Sequence, residues 1–360
     1  MTTPTPTWKA AVLAVLLVAA AVGLVLFARP GDVHQPGRTG QGERSTMQPQ
    51  VNMPGESHRG PLPGLTPQQR ELRDALRADV QMLAGTIGER NVYQYREYLQ
   101  TADFIERSLT QAGYQVQRQE LTARGRTCYN LESEIPGGAQ ADQIVVIGAH
   151  YDTVPDCPGA NDNGSGVAGL LAVARALHGT SPPRTVRLVA FANEEAPFFH
   201  TDAMGSWVYV RRCRQRNENI VAMLSLETIG YYSDQPGSQQ YPPPFNQYYP
   251  DTGNFIGVVG NIESAELVRQ VAGSFRRHAQ FPCEGGALPS VVDGVGWSDH
   301  SSFWQYGYSA AMITDTAPFR YPHYHRPSDT PEQIDYDRMA RVVDGMTAVI
   351  RELAGVGESP

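Results

Sequence analysis

Ile144-Val145-Val146-Ile147-Gly148-Ala149-His150-Tyr151-Asp152, residues 144–152, carries an unbroken apolar run into a His-x-Asp. A short run that is apolar on both faces suits a strand covered by helices on both sides, so the stretch reads as an inner strand of an α/β sheet. Open sheets of that kind place their ligands beyond the carboxyl ends of the strands, where His150 and Asp152 fall. Residues i and i+2 of an extended chain share a face. His150 can therefore ligate a metal while Asp152 accepts the other imidazole N–H and fixes the tautomer.

Working outward, strands and helices alternate. The periodicity predicts helices opening at Thr66-Pro67 and over 93–112, and strands over 114–121 and 129–135. After the central run come a helix over 166–177, a strand over 185–191, a helix near 204–211 and a strand over 221–226. A strand over 255–259, a helix over 264–278, a short helix after Ser298, a strand over 310–314 and a helix over 336–353 complete the chain. The expected fold is a single α/β domain over 66–360, with a mixed, mostly parallel central sheet sandwiched between helices. The Tyr- and Pro-rich segment 231–254 is expected to rim its cleft.

Residues 10–28 form an apolar run between Lys9 and Arg29, long enough at about 1.5 Å per residue to nearly span a hydrocarbon core. The run exceeds the hydrophobic region of a cleaved signal peptide, and Phe27-Ala28-Arg29-Pro30 is a poor cleavage exit. Residues 1–29 thus read as an N-terminal transmembrane signal anchor, which puts the catalytic domain outside the cytoplasm, periplasmic or extracellular. Residues 30–65, rich in Gly, Pro, Gln and Ser, read as a flexible linker, with His34 and His58 as bystanders. With 29 basic and 37 acidic side chains among 360 residues and no basic stripe, nucleic acid is not an expected partner.

Cys128, Cys157, Cys213 and Cys283 show no C-x-x-C spacing, which argues against a thiolate zinc site. If 129–135 and 144–147 form a hairpin, Cys128 is carried toward Cys157, leaving Cys213 to Cys283. Four free buried thiols are the other reading.

Further candidates sit at strand ends. Gly159-Ala160-Asn161-Asp162-Asn163-Gly164-Ser165-Gly166 is a tight turn opening a helix; Asp162 or Ser165 could simply cap it, or Asp162 could be a carboxylate delivered to the same end of the sheet as His150. Glu194 and Glu195 follow the strand 185–191, either as a solvated charge pair or, if the chain turns there, as one ligand and one free base. Glu227 ends the strand 221–226, and His323 and His325 lie in a turn-rich loop. Together, His150, Asp162, Glu195, Glu227 and His325 offer the oxygen and imidazole donors that suit zinc.

These runs, GAHYDTV, PGANDNGSGVA, FANEEAPFFHTDAMGS, SLETIGYY, GWSDHSSFWQYGYSAAMITDTA and YHRPSDTPEQIDY, in this order and spacing resemble the co-catalytic zinc aminopeptidases of the clan MH metallopeptidases, relatives of glutamate carboxypeptidase and glutaminyl cyclase. The resemblance covers roughly residues 90–355. It implies two zinc ions per chain and no organic cofactor. Asp162 would bridge the two, His150 and Glu227 would complete one site, and Glu195 and His325 the other. Glu194 would be the general base and Asp152 the partner of His150. The implied reaction is hydrolysis of an N-terminal peptide bond in a peptide with a free amino terminus. Cyclisation of N-terminal glutamine, a carboxypeptidase activity, or an inactive receptor-like ectodomain are the alternatives the same scaffold allows. Two departures stand out: many members carry Asp where this chain has Glu227, and some carry a Tyr oxyanion stabiliser where this chain has Val295. The spacing H-x-x-x-D-T selects His325 over His323; His178 and His278 close helices and read as surface residues, His200 has no assigned role, and His300 either sits behind a Ser298 helix cap or supports the site or contacts substrate.

Overall fold

The computed structural model describes residues 48–356. The membrane helix expected over 10–28 and the linker up to residue 47 lie outside them. Among the described residues no helix is long and apolar enough to cross a membrane.

Eight strands form one sheet: β1 (Val116–Ala123), β2 (Arg126–Ile135), β3 (Gln140–His150), β4 (Arg184–Phe191), β5 (Asn219–Glu227), β6 (Ile256–Asn261), β7 (Cys283–Leu288) and β8 (Ala310–Thr314). The helices are α1 (Pro67–Val80), α2 (Tyr95–Gln111), α3 (Gly166–Leu177), α4 (Gly205–Gln215), α5 (Ala265–His278), α6 (His300–Trp304), α7 (Ala317–Arg320) and α8 (Tyr336–Leu353). The strand order is β1-β2-β4-β3-β5-β8-β6-β7. The pairs β3–β4, β3–β5, β5–β8 and β6–β7 are parallel, whereas β1–β2, β2–β4 and β6–β8 are antiparallel. The expected mixed, mostly parallel sheet is therefore present.

The apolar run of β3 is explained by its two covered faces. Val145, Ile147 and Ala149 join the core beneath α1, α2, α3, α5 and α8, while Ile144 and Val146 join a second cluster with Tyr209 and Cys213 of α4 and Phe303 of α6. Local chemistry sets the helix ends. Thr66 accepts from Gln69 N at 3.1 Å while Gln69 Oε1 accepts from Thr66 N at 3.2 Å, a reciprocal cap ahead of Pro67. At α3, Asn163 Oδ1 accepts from Gly166 N at 3.0 Å, so the cap is Asn163 and neither Asp162 nor Ser165. Ser165 Oγ instead donates to Asn161 O and accepts from Ile229 N.

Three features differ from the sequence reading. β2 pairs with β4, which lies between β2 and β3, so 129–135 and 144–147 do not form a hairpin. The expected Cys128–Cys157 and Cys213–Cys283 pairs are absent and the other reading holds: all four cysteines are buried free thiols, with Cys157 Sγ 3.2 Å from Arg326 O and Cys213 and Cys283 in different core clusters. β7, with Gly285-Gly286 at its centre, escaped the periodicity altogether.

Residues 48–65, within the stretch read as a linker, run along the domain. Gln50 exchanges two 2.9 Å backbone hydrogen bonds with Ala287 of β7, and Met53 and Leu62 pack against the core.

Candidate metal centre

The site lies at the carboxyl ends of the parallel strands β3, β4 and β5. β3 ends on His150, in register with Phe191 at the end of β4, and β5 ends on Glu227, in register with Thr314 of β8. Beyond β4 the chain turns at Asn193, at φ +55°, a conformation that Asn tolerates better than most residues. The Tyr98 hydroxyl donates to Asn193 Oδ1 at 2.8 Å and accepts from Asn193 N at 3.1 Å, which holds the turn. Asp152 then accepts from Glu194 N at 2.9 Å and from Glu195 N at 3.0 Å. One carboxylate thus orients both glutamates while its Oδ1 stands 3.4 Å from His150 Nδ1.

The turn bearing Asp162 is tied to four other segments. Asn161 Nδ2 donates to Asp315 Oδ2 at 2.9 Å and its Oδ1 accepts from Gly230 N; Asn163 Nδ2 donates to Leu226 O at 2.8 Å. Asp329 accepts from Asn161 N at 2.8 Å and from Asp162 N at 3.1 Å, which fixes the turn to the loop carrying His325. From beneath, the fully buried Arg90 donates to the carbonyls of Tyr151, Pro158 and Gly159. A Cβ at Gly159 would meet Asp162 O at 2.4 Å, so that bend needs glycine.

All five residues expected as ligands converge. His150 Nε2 is 3.4 Å from Asp162 Oδ1 and 3.3 Å from Glu227 Oε2. His325 Nε2 is 3.0 Å from Asp162 Oδ2 and 3.4 Å from Glu195 Oε1. His150, Asp162 and Glu227 form one group of donor atoms lying within 4.8 Å of one another, and Asp162, Glu195 and His325 form a second. Glu194 belongs to neither, although its Oε2 is 3.8 Å from His150 Nε2. Both ring nitrogens of His150, Asp162 Oδ1 and Glu195 Oε1 are buried without a hydrogen-bond partner. Buried polar atoms are rarely left unpaired. An imidazole–carboxylate donor set with orphaned atoms fits a divalent metal such as zinc.

The electrostatics point the same way. Burial alone would raise the Asp162 carboxyl, but the His150 and His325 imidazoles against it hold it below the usual carboxylate range. Glu195 is pushed up to about 7 by burial and by the Asp162 charge. Burial raises Glu194 well above its ordinary value, with the Glu195 and Glu227 charges adding to it and His150 opposing. Four carboxylates crowd one buried space, an excess of negative charge that a divalent cation would offset.

Several contributors have no signature in the sequence reading. Ser298 donates to Glu227 Oε2 at 2.7 Å. Tyr324 stacks on the His325 ring at 3.8 Å between centroids and lines the cavity beside Glu227. Its adjacency to His325 was the one available signal. Of the other histidines, His300 is buried with Nε2 2.8 Å from Val295 O, His200 Nε2 is 3.2 Å from Ser301 Oγ, and His323 Nδ1 is 2.8 Å from Ser328 Oγ. His178 and His278 are exposed, His34 lies outside the described residues, and His58 lines a separate polar cavity with Arg277 and Asp344. Gln239, Tyr241, Pro242, Phe245 and Tyr249 of the segment 231–254 do line the cleft.

Residues 130–350 match the family model of peptidase family M28. The chain is 37% identical over 286 residues to an uncharacterised protein of Escherichia coli strain K12, YfbL, covering 77% of this chain and 87% of that one. It is 25% identical over 268 residues to a probable leucine aminopeptidase of Arthroderma otae, 69% of this chain and 63% of that protein's length. Among solved structures, a zinc aminopeptidase from Bacillus subtilis matches with a TM-score of 0.64 at 16% identity, covering 80% of this chain and 96% of that one. A glutaminyl cyclase from Bacteroides thetaiotaomicron matches with a TM-score of 0.60 at 17% identity, covering 80% and 98%.

Proposed function

The chain belongs to peptidase family M28, and on that premise we propose that it is a zinc-dependent aminopeptidase hydrolysing the N-terminal bond of peptides with two zinc ions per chain. The observation that carries this reading is the division of Asp162: Oδ1 faces His150 while Oδ2 faces His325. One carboxylate shared between two donor groups suits a bridged pair of cations. His150, Asp162 and Glu227 would hold one ion, and Asp162, Glu195 and His325 the other. Zinc bound there supplies a Lewis acid for the carbonyl and lowers the pKa of a water.

The protein's own groups do the rest. Glu194, outside both donor groups, is the base: it takes the proton of the attacking water and returns it to the leaving amine. Asp152 Oδ1 stands 3.4 Å from His150 Nδ1, and through its bonds to the amides of Glu194 and Glu195 the same carboxylate keeps base and ligand in separate positions. With Val295 at the position where some members of the family carry tyrosine, the hydroxyl assigned to the developing oxyanion is that of Tyr324, which stacks on the His325 ring and lines the cavity beside Glu227. Burial raises its pKa, so it stays a protonated donor.

The test is metal content per chain, measured beside hydrolysis of aminoacyl substrates and their N-acetylated counterparts. Two zinc ions and cleavage only of the free-amino series are expected. One tightly held zinc with cyclisation of N-terminal glutamine would replace this reading with the cyclotransferase, and cleavage from the carboxyl end with a carboxypeptidase.

A further inference from the structure

The cavity beside the candidate centre crosses the sheet along a single register row. Glu227 on β5 is in register with Thr314 on β8, Thr314 with Gly257 on β6, and Gly257 with Glu284 on β7. All four line the cavity. Adjacent strands stand about 4.8 Å apart, so three intervals separate the Glu227 and Glu284 positions by about 14 Å. The next row, Met312, Val259 and Gly286, also faces the cavity.

The floor is kept low by small residues. A Cβ on Gly257 would meet Thr314 O at 3.2 Å, and one on Gly286 would come within 2.6 Å of the Tyr249 hydroxyl. The walls are aromatic and aliphatic, with Tyr241, Phe245, Leu288 and Val295 among them. Among the described residues, the lining contains no Lys, Arg or His. Glu284 stands at the far end, and the exposed Asp293 adds a second negative charge to the rim.

We propose that this trough receives the side chain of the substrate's N-terminal residue, and that Glu284 selects a long one ending in a cation, lysine or arginine. The assignment rests on the aminopeptidase reading. An apolar channel closed by a carboxylate matches an alkyl stem tipped with an ammonium or guanidinium, whereas a leucine side chain stops well short of Glu284. Arg276 Nη2 donates to Glu284 Oε2 at 3.4 Å from outside the lining, and the same guanidinium donates to the carbonyls of Cys283, Met53 and Gly55. Neither Ser57, which hydrogen-bonds the Glu284 carboxylate, nor Arg59, whose charge acts on it, is part of the lining.

The decisive comparison uses the zinc-loaded full chain and four aminoacyl p-nitroanilides: lysyl, arginyl, norleucyl and leucyl. Norleucine has the four-carbon stem of lysine without the ammonium, so the ratio of kcat/KM for lysyl over norleucyl isolates the charge. A ratio of roughly tenfold or more is expected, as for a hydrogen bond to a charged group, with Glu284→Gln bringing it toward one. The ratio in the unaltered chain decides even if Glu284→Gln does not fold. Norleucyl or leucyl substrates cleaved as well as lysyl, or a ratio unmoved by Glu284→Gln, would overturn the assignment while leaving an aminopeptidase. Cleavage of none of the four would overturn both.

Discussion

Glu194 and Glu195 are neighbours of identical chemistry, and their separation into different roles rests on one turn. Asn193 at positive φ and the Asp152 carboxylate on both backbone amides direct Glu195 toward His325 and Glu194 toward His150. Glu195→Gln should weaken one metal site and lower activity partly through metal loss, reversible in part by excess zinc. Glu194→Gln should retain two zinc ions per chain and lose about 10² to 10⁴ in kcat, with no rescue by zinc. Tyr324→Phe should also keep both metals while kcat falls about 10²-fold or more. Metal analysis paired with steady-state kinetics separates the three, and loss of a metal from Glu194→Gln would exchange the two glutamate roles. The acids could be picked out by their places at strand ends. Asp329, Asn161 and Asn163 could not, because their partners belong to segments distant in sequence, such as Leu226 O, Gly230 N and Asp315 Oδ2.

At the scale of elements, the arm over 48–65 is the clearest surprise. Its composition suits a flexible tether, yet its polar backbone finds fixed partners. Arg269 donates to Asn52 O, Arg276 to Met53 O and Gly55 O, and Ser57 Oγ accepts from Cys283 N, while Gln50 pairs with the outer edge of β7. Val51 packs with the cluster of Phe245, Leu288 and Val295 that walls the cavity. The chain lacking residues 1–47 is the reference for thermal stability. Removing 1–58 uncovers a sheet edge and the Met53 and Val51 contacts, and should lower the midpoint by roughly 5–10 °C, read by calorimetry. Equal midpoints would mean the arm contributes nothing to stability. The same scale explains the free thiols. Proximity of 129–135 and 144–147 in sequence suggested a hairpin, but β4 slots between them, and its Arg187 bonds Glu134 of β2 and Glu218 before β5.

Across the whole molecule, the buried carboxylates of Asp162, Glu194, Glu195 and Glu227 repel one another unless a cation offsets them. Chelation at neutral pH should therefore lower the thermal midpoint as well as abolish activity, and zinc should restore both. Ligand present at about a thousand times its dissociation constant contributes about 4 kcal/mol to the folded state. A midpoint indifferent to chelator would argue that the site is not a metal centre. What the amino-acid sequence determined by itself was whatever depends on local pattern. The helices Gly166–Leu177 and Tyr336–Leu353 and the strand Ala310–Thr314 were legible to the residue, because apolar periodicity and turn chemistry are written into neighbouring positions. The acids and histidines at strand ends were legible as candidates for the same reason. Only the tertiary structure decided the order of the strands, the pairing of Gln50 with β7, and the row that sets Glu284 opposite Glu227. Those depend on which strands lie side by side, and backbone hydrogen bonds between strands carry little side-chain signature, least of all where β7 presents Gly285-Gly286.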